Sequence, residues 1–271
     1  MSKFIDVDFP NDPKYIQGYT EENLKHYQKC MASLPKYADN FEVLSDSDLK
    51  EAASQAAQVG GNARLVTRIY DQGQEGACVA NAFSQGHQVC QARLGGKHRV
   101  VQLSAISLYK QIGSSPNSGA NIGDAMERLE DTGVLPLNTS ENKSRFKHTM
   151  PNTGFRQPYP DGWKDTAKMF ANCEMFVAES FQEAASAIAR GRCVGVGRAG
   201  HSILYIDLIY DDGWAFDYVN SWTEDWGFAK GDFQGGFGRD TRRLYNEACD
   251  WCVVFEGPDP SEWTWLQELS K

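Results

Sequence analysis

The stretch IYDQGQEGACVANAFSQGHQVCQA, residues 69–92, joins a glycine-rich turn to a helix with apolar periodicity. Val79, Phe83, Val89 and Cys90 recur at helical spacing, which predicts a helix from about Val79 to Arg93. Cys78 therefore falls at the helix N-terminus, where unpaired backbone N–H groups and the positive end of the dipole favour thiolate over thiol. Gln72 lies six residues upstream, across a turn that can fold its amide back toward Cys78. An amide donor beside a nucleophile, together with the Cys78 backbone N–H, makes an oxyanion hole.

A nucleophilic thiolate needs a base, and the base needs an orienting group. The run SILYIDLIY at 202–210, then Asp211-Asp212-Gly213, then WAFDYVNSW at 214–222, is a hairpin signal. His201 opens its first strand and Asn220 lies near the end of its second. The Asn220 side-chain carbonyl can accept from one imidazole N–H and leave the other nitrogen for Cys78. Trp222 can cover that bond from water or touch substrate. A two-residue Asp212-Gly213 turn would set Asn220 opposite Tyr205, four residues from His201, so a bulge or a longer loop must close the gap.

Further out, the chain of 271 residues divides by texture. Residues 1–62 are rich in charge and turn formers and read as an N-terminal extension that packs on the body, with helices at about Thr20–Ser33 and after a cap at Ser45. Residues 63–257 hold the motifs, and 258–271 form a tail. Within the body, helices are expected at Ser104–Gly113, Ile122–Thr132 and Phe181–Arg190, with strands from about Cys193. Helices first and strands later predict an α+β fold. The formal charge of -9 has the wrong sign for a nonspecific nucleic-acid or anionic-membrane binder. The start lacks an apolar signal core, so a location in the cytoplasm is expected rather than secretion. The seven cysteines are odd in number and scattered, which leaves at least one free thiol.

Gln72-x5-Cys78, Gly200-His201 and Asn220-Ser221-Trp222 followed by Trp226-Gly227, in that order, resemble the papain-like cysteine peptidases. LSAISLY at 103–109 and GANIGDAMERLEDTGV at 119–134 are similar to the segments after that family's central helix. The resemblance covers about Ala63 to Gly257. It implies a two-lobed fold, a helical lobe and a β-barrel-like antiparallel lobe, with the site between them. It makes Cys78 the nucleophile, His201 the acid-base, Asn220 the orienter and Gln72 the oxyanion donor, acting on a peptide or protein substrate without a cofactor or metal. Val79 stands where the family usually has Trp, and Glu75 and Ala120 stand where it usually has a disulfide, which suits a reducing compartment. The stretch from Val194–Val196 to His201 is shorter than usual, so part of one cleft wall is lost. The extension lacks the family's common propeptide pattern. Together with the DQGQEGACVANA form of the motif, it looks like papain-like proteins of bacteria and tailed bacteriophages, which makes virion or capsid proteins candidate partners.

Other motifs read more plainly. His87 fits a core histidine. Cys249-Asp250-Trp251-Cys252 lacks a second pair at zinc-finger spacing and reads as a terminal strand with one buried thiol. GDFQGGFGRD at 231–240 reads as a barrel-edge loop, and Arg239, Arg242 and Arg243 as solvated surface. Trp263 and Trp265 read as a docked tail. Two function classes follow: a thiol hydrolase, or a structural or docking protein on a papain-like body. Acyl transfer to an amine would use the same residues.

Overall fold

The computed structural model describes residues 34–198 and 200–257. The expected helix at 20–33, Cys30 and the tail with Trp263 and Trp265 lie outside them. Helices α1 (Tyr37–Asn40) and α2 (Asp46–Gln58) come first. The Ser45 hydroxyl accepts from the Asp48 N–H at 3.3 Å, and Asp46 and Asp48 occupy the first turn of α2, where negative charge suits the dipole. Then follow α3 (Cys78–Gly95), α4 (Ala105–Ile112), α5 (Ile122–Asp131), α6 (Ser140–Arg145) and α7 (Trp163–Lys168). Strand β1 (Glu174–Val177) and α8 (Phe181–Ala189) lead into β2 (Cys193–Arg198), β3 (His201–Tyr210), β4 (Trp214–Val219), β5 (Phe228–Lys230) and β6 (Phe233–Thr241). Helix α9 (Arg242–Ala248) and β7 (Cys249–Gly257) complete the described residues.

The strands form one antiparallel sheet in the order β1-β7-β2-β3-β4-β6-β5. Period-two alternation sends Trp251, Val253 and Phe255 to one face and Cys252 and Val254 to the other, so the sheet borders two cores. The first core holds α3, α4 and α5; the second holds α8 with Tyr37, Leu49 and Ala53 from the extension. Residues 34–62 are thus built into the back of the sheet, tied there by Leu44 N–H to Ser186 Oγ at 2.8 Å and Gln182 Nε2 to Leu44 O at 2.8 Å.

Every residue of α3 from Cys78 to Ala92 is buried, including the polar Asn81, Gln85, Gln88 and Gln91. Buried amides need partners, and these have them: Gln85 Nε2 donates to Arg68 O at 2.7 Å, Gln88 Nε2 to Tyr70 Oη at 2.7 Å, and Gln91 Oε1 accepts from Val101 N at 2.8 Å. The helix is therefore fastened to the chain just before the glycine-rich turn. Gly86 lets β7 approach: a Cβ there would sit 2.7 Å from the Phe255 ring.

Two expectations are corrected. Residues 231–240 are mostly strand β6, because Gly235, Gly236 and Gly238 leave room for the Glu224 carbonyl, Ile69 and the Tyr218 ring against the backbone. Arg239 is not solvated surface: its Nη2 donates to Asp217 Oδ2 at 3.0 Å, and Asp217 also pairs with Lys230. The Arg242 guanidinium lies 4.9 Å over the Phe181 ring. Among the described residues no helix is long and apolar enough to cross a membrane.

Candidate active site

Cys78 is the first residue of α3, after Ala77, which offers no side-chain cap; no acidic residue lies in the first turn. Ala77 thus brings no side-chain acceptor to the first backbone N–H groups of the helix, as Ser, Thr, Asp or Asn at the cap would have done. The glycine-rich turn before it is fixed by Gly76 N–H to Pro116 O at 2.8 Å. A side chain at Gly76 would press on Gly119 N at 3.1 Å and Tyr109 Oη at 3.2 Å, so this approach needs glycine.

The hairpin closes the gap that the sequence left open, by both routes. Its loop is longer than two residues, with Asp211 N–H bonded to Gly213 O at 3.1 Å and Tyr210 facing Trp214. A bulge at Ile206 then shifts the register by one more, from Asp207↔Asp217 to Tyr205↔Tyr218 and Leu204↔Val219. Continuing that register aligns Asn220 with Ile203, a diagonal neighbour of His201 that long side chains can span. His201 itself pairs with Arg198 across the β2–β3 ladder.

His201 Nε2 and Asn220 Oδ1 are 2.7 Å apart. The same Asn220 oxygen accepts from Ser221 N–H at 2.8 Å. A backbone N–H can only donate, so Oδ1 is the acceptor atom and the imidazole proton sits on Nε2. Nδ1 is left as the basic nitrogen. Burial lowers the pKa of His201 to about 4; the Asn220 bond works against that and the Arg198 charge adds to it. The ring is therefore neutral at pH 7. Trp222 stacks on it at 4.6 Å with 27° between planes and meets Trp226 edge-on at 5.5 Å. This contact makes Trp222 the cover of the His201–Asn220 pair.

Gln72 reaches the same place from the other half of the chain. Its backbone N–H donates to Ser221 O at 3.0 Å, Thr223 N–H donates to Tyr70 O at 3.2 Å, and Asp71 bridges to Trp222. Residues 70–72 thus pair with 221–223. The Ser221 hydroxyl donates to Gln72 Oε1 at 2.6 Å, and Gln72 Nε2 donates to Glu75 O at 2.9 Å. The amide is pinned with its nitrogen on the side of the glycine-rich turn. Ser221 is the residue that sequence reading passed over; its place between Asn220 and Trp222 was the available signal.

The site is closed. Cys78 and Gln72 are 0% exposed, His201 and Asn220 1%, and Trp222 3%. Glu75 accepts from Gly154 N–H at 3.2 Å and Phe155 N–H at 2.7 Å, so a carboxylate ties two loops at a position where the resembled family places a disulfide. His87 is a core residue: Nδ1 meets Gln91 Nε2 at 3.0 Å, and burial lowers its pKa to about 4. Among the described residues no group of three or more His, Cys, Asp or Glu is arranged to hold a metal ion.

No family model matches the chain, and no curated protein matches it. Solved structures do. Xylellain, a cysteine protease from Xylella fastidiosa, aligns over 93% of this chain and 94% of its own at 14% identity, with a TM-score of 0.55. The proform of the Amb a 11 cysteine protease, a ragweed pollen allergen, aligns over 90% and 77% at 17% identity and 0.59. Digestive procathepsin L 3 of Tenebrio molitor aligns over 71% and 67% at 16% identity and 0.55. The α+β architecture of this chain matches the fold of papain-like cysteine proteases.

Proposed function

We propose that the protein is a papain-like thiol hydrolase that cleaves peptide or amide bonds, with Cys78 as nucleophile, His201 as acid-base, Asn220 as orienter and Gln72 as oxyanion donor. The observation that carries this reading is the 2.7 Å contact from His201 Nε2 to an Asn220 oxygen already held by Ser221 N–H. It leaves Nδ1 as the proton acceptor of a ring that is neutral at pH 7.

In the reaction, the Cys78 thiol passes its proton to His201 Nδ1 and Sγ attacks the substrate carbonyl carbon. The resulting oxyanion accepts from the Cys78 backbone N–H and from Gln72 Nε2, worth about 3 kcal/mol per well-placed donor. His201 gives its proton to the leaving nitrogen, the C–N bond breaks, and a thioester remains. Water, deprotonated by His201, then releases the acid and restores the thiol. Asn220 keeps the ring in the required tautomer throughout, and Trp222 keeps water off that bond.

Labelling with iodoacetamide or an epoxide at neutral pH tests the reading. Cys78 is expected to react faster than the thiol of a small peptide, and Cys78→Ala to lose hydrolysis of peptide substrates. Equal reactivity, with processing unchanged in the variant, rejects it. The DQGQEGACVANA motif and the extension support a place among papain-like proteins of bacteria and tailed bacteriophages. One observation favours a second reading as a structural, virion-associated protein with little turnover: the complete burial of Cys78. An inert Cys78, with the protein abundant in purified particles by mass spectrometry, is the outcome expected of that reading.

A further inference from the structure

The CDWC run at 249–252 has no part in the chemistry above, yet both of its cysteines border one cavity. In a regular strand, residues three apart point to opposite faces. Strand β7 is not regular here: Gly197 faces Trp251 but the next residue of β2, Arg198, faces Cys249, so Asp250 is an extra, bulged residue. The bulge turns Cys249 to the face that Cys252 occupies, and both pack on the core that includes Phe181 and Tyr245. The Cys249 thiol donates to Trp251 O at 3.3 Å, and Cys249 and Cys252 lie near enough that a charge on one would disfavour a charge on the other.

The two thiols differ in access. Cys252 is 2% exposed, whereas Cys249 is partly exposed at the start of the strand. Both line an open cavity of about 620 Å³ with Gln182, Arg242, Tyr245 and Asn246. The walls carry one cation, Arg242, two amides, Gln182 and Asn246, and two acids, Glu179 and Asp250, and a hollow of that size has room for a small peptide-like disulfide bearing both amine and carboxylate groups.

We propose that Cys249 and Cys252 are a dithiol site that a low-molecular-weight disulfide oxidises, with Cys249 reacting first. Cys249 Sγ, as thiolate, attacks one sulfur of the small disulfide; a mixed disulfide forms and one thiol leaves. Cys252 Sγ then loses its proton and attacks Cys249 Sγ, the Cys249–Cys252 bond forms, and the second small thiol leaves. The protein pair gives up two electrons and two protons, and the small disulfide becomes two thiols. Burial pushes the Cys252 thiol up, which suits a second, resolving step rather than the first. The site lies two strands from His201, since Cys249 faces Arg198 and Arg198 faces His201. Its oxidation does not depend on the hydrolase reading.

The experiment uses full-length Cys78→Ala protein, so that Cys78 does not compete, with oxidised glutathione as the probe. Trypsin releases residues 244–271 as one peptide containing both cysteines. After treatment that peptide is expected to be lighter by two hydrogens, to resist alkylation, and to recover with dithiothreitol. Adding Cys252→Ser is expected to trap one glutathione on Cys249. A peptide that stays alkylated at both cysteines after treatment overturns the proposal, as does glutathione trapped elsewhere but not on Cys249. Bridging by hydrogen peroxide but not by oxidised glutathione overturns the role assigned to the cavity.

Discussion

Substituting His87 with Gln should flatten the pH dependence of stability by a predictable amount. His87 is 1% exposed and its pKa falls from 6.5 to about 4. The folded state thus holds the neutral ring, while the unfolded chain takes up a proton below about pH 6.5. The contribution is fully present above that pH, is lost as pH falls, and levels off below about 4. Between pH 7.5 and 5.0 the linkage amounts to about 2 kcal/mol per histidine, approaching about 3 kcal/mol at lower pH. His201 carries a shift of the same size, so the parent protein should lose about twice that amount from the two rings. Urea unfolding at pH 7.5 and 5.0 reads the effect directly. Carboxylate terms are common to both proteins and cancel in the comparison. A Gln retains an amide that can meet Gln91, so the variant should fold. If the parent and His87→Gln lose the same stability between the two pH values, His87 is not held neutral in the folded state and the burial argument fails.

Three other outcomes are expected. Ser221→Ala frees the Gln72 amide and should lower kcat roughly tenfold with little change in KM, because the lost contact matters to the oxyanion rather than to ground-state binding; equal losses with Gln72→Ala in the background would refute the coupling. Asn220→Ala leaves the buried His201 Nε2–H without its acceptor and should cost about 1–3 kcal/mol of stability, read by thermal or urea unfolding, along with most Cys78 labelling. Gly197→Ala sets a methyl into the Trp251 indole and should destabilise by about 2 kcal/mol or more, lowering Tm by several degrees; an unchanged Tm would mean that β7 shifts freely.

The fold was legible where side-chain type and backbone need agreed. Cys78 at a helix start, the Ser45 cap and the hairpin all follow from local chemistry, and each is found within a residue or two of its expected place. The meeting of His201 and Asn220 was legible only as a condition. Nothing in Ile206 announces a bulge, because the register slip is set by the pairing of β3 with β4 and not by one residue's preference. Strand β6 was hidden for the opposite reason: its glycines have poor strand propensity but are what lets neighbouring backbone and rings press on it. The glutamines of α3 carry no sign of their bonding partners in the local sequence, because the tertiary contacts of Arg68, Tyr70 and Val101 make them internal ties. The Asp250 bulge likewise depends on the partner strand.

The strand order has a consequence for the life of the chain. Strand β7 lies between β1 and β2, pairing with both, although it is the last of the seven in sequence. Until residues 249–257 leave the ribosome, β1 has no neighbour in the sheet and β2 presents an open edge. The Ser221–Gln72 bond spans 149 positions and adds a second long-range closure. Nascent chains that already contain Cys78, His201 and Asn220 would therefore lack a finished scaffold for them. Synthesis would have to pass residue 257 before the scaffold that holds Cys78, His201 and Asn220 is complete.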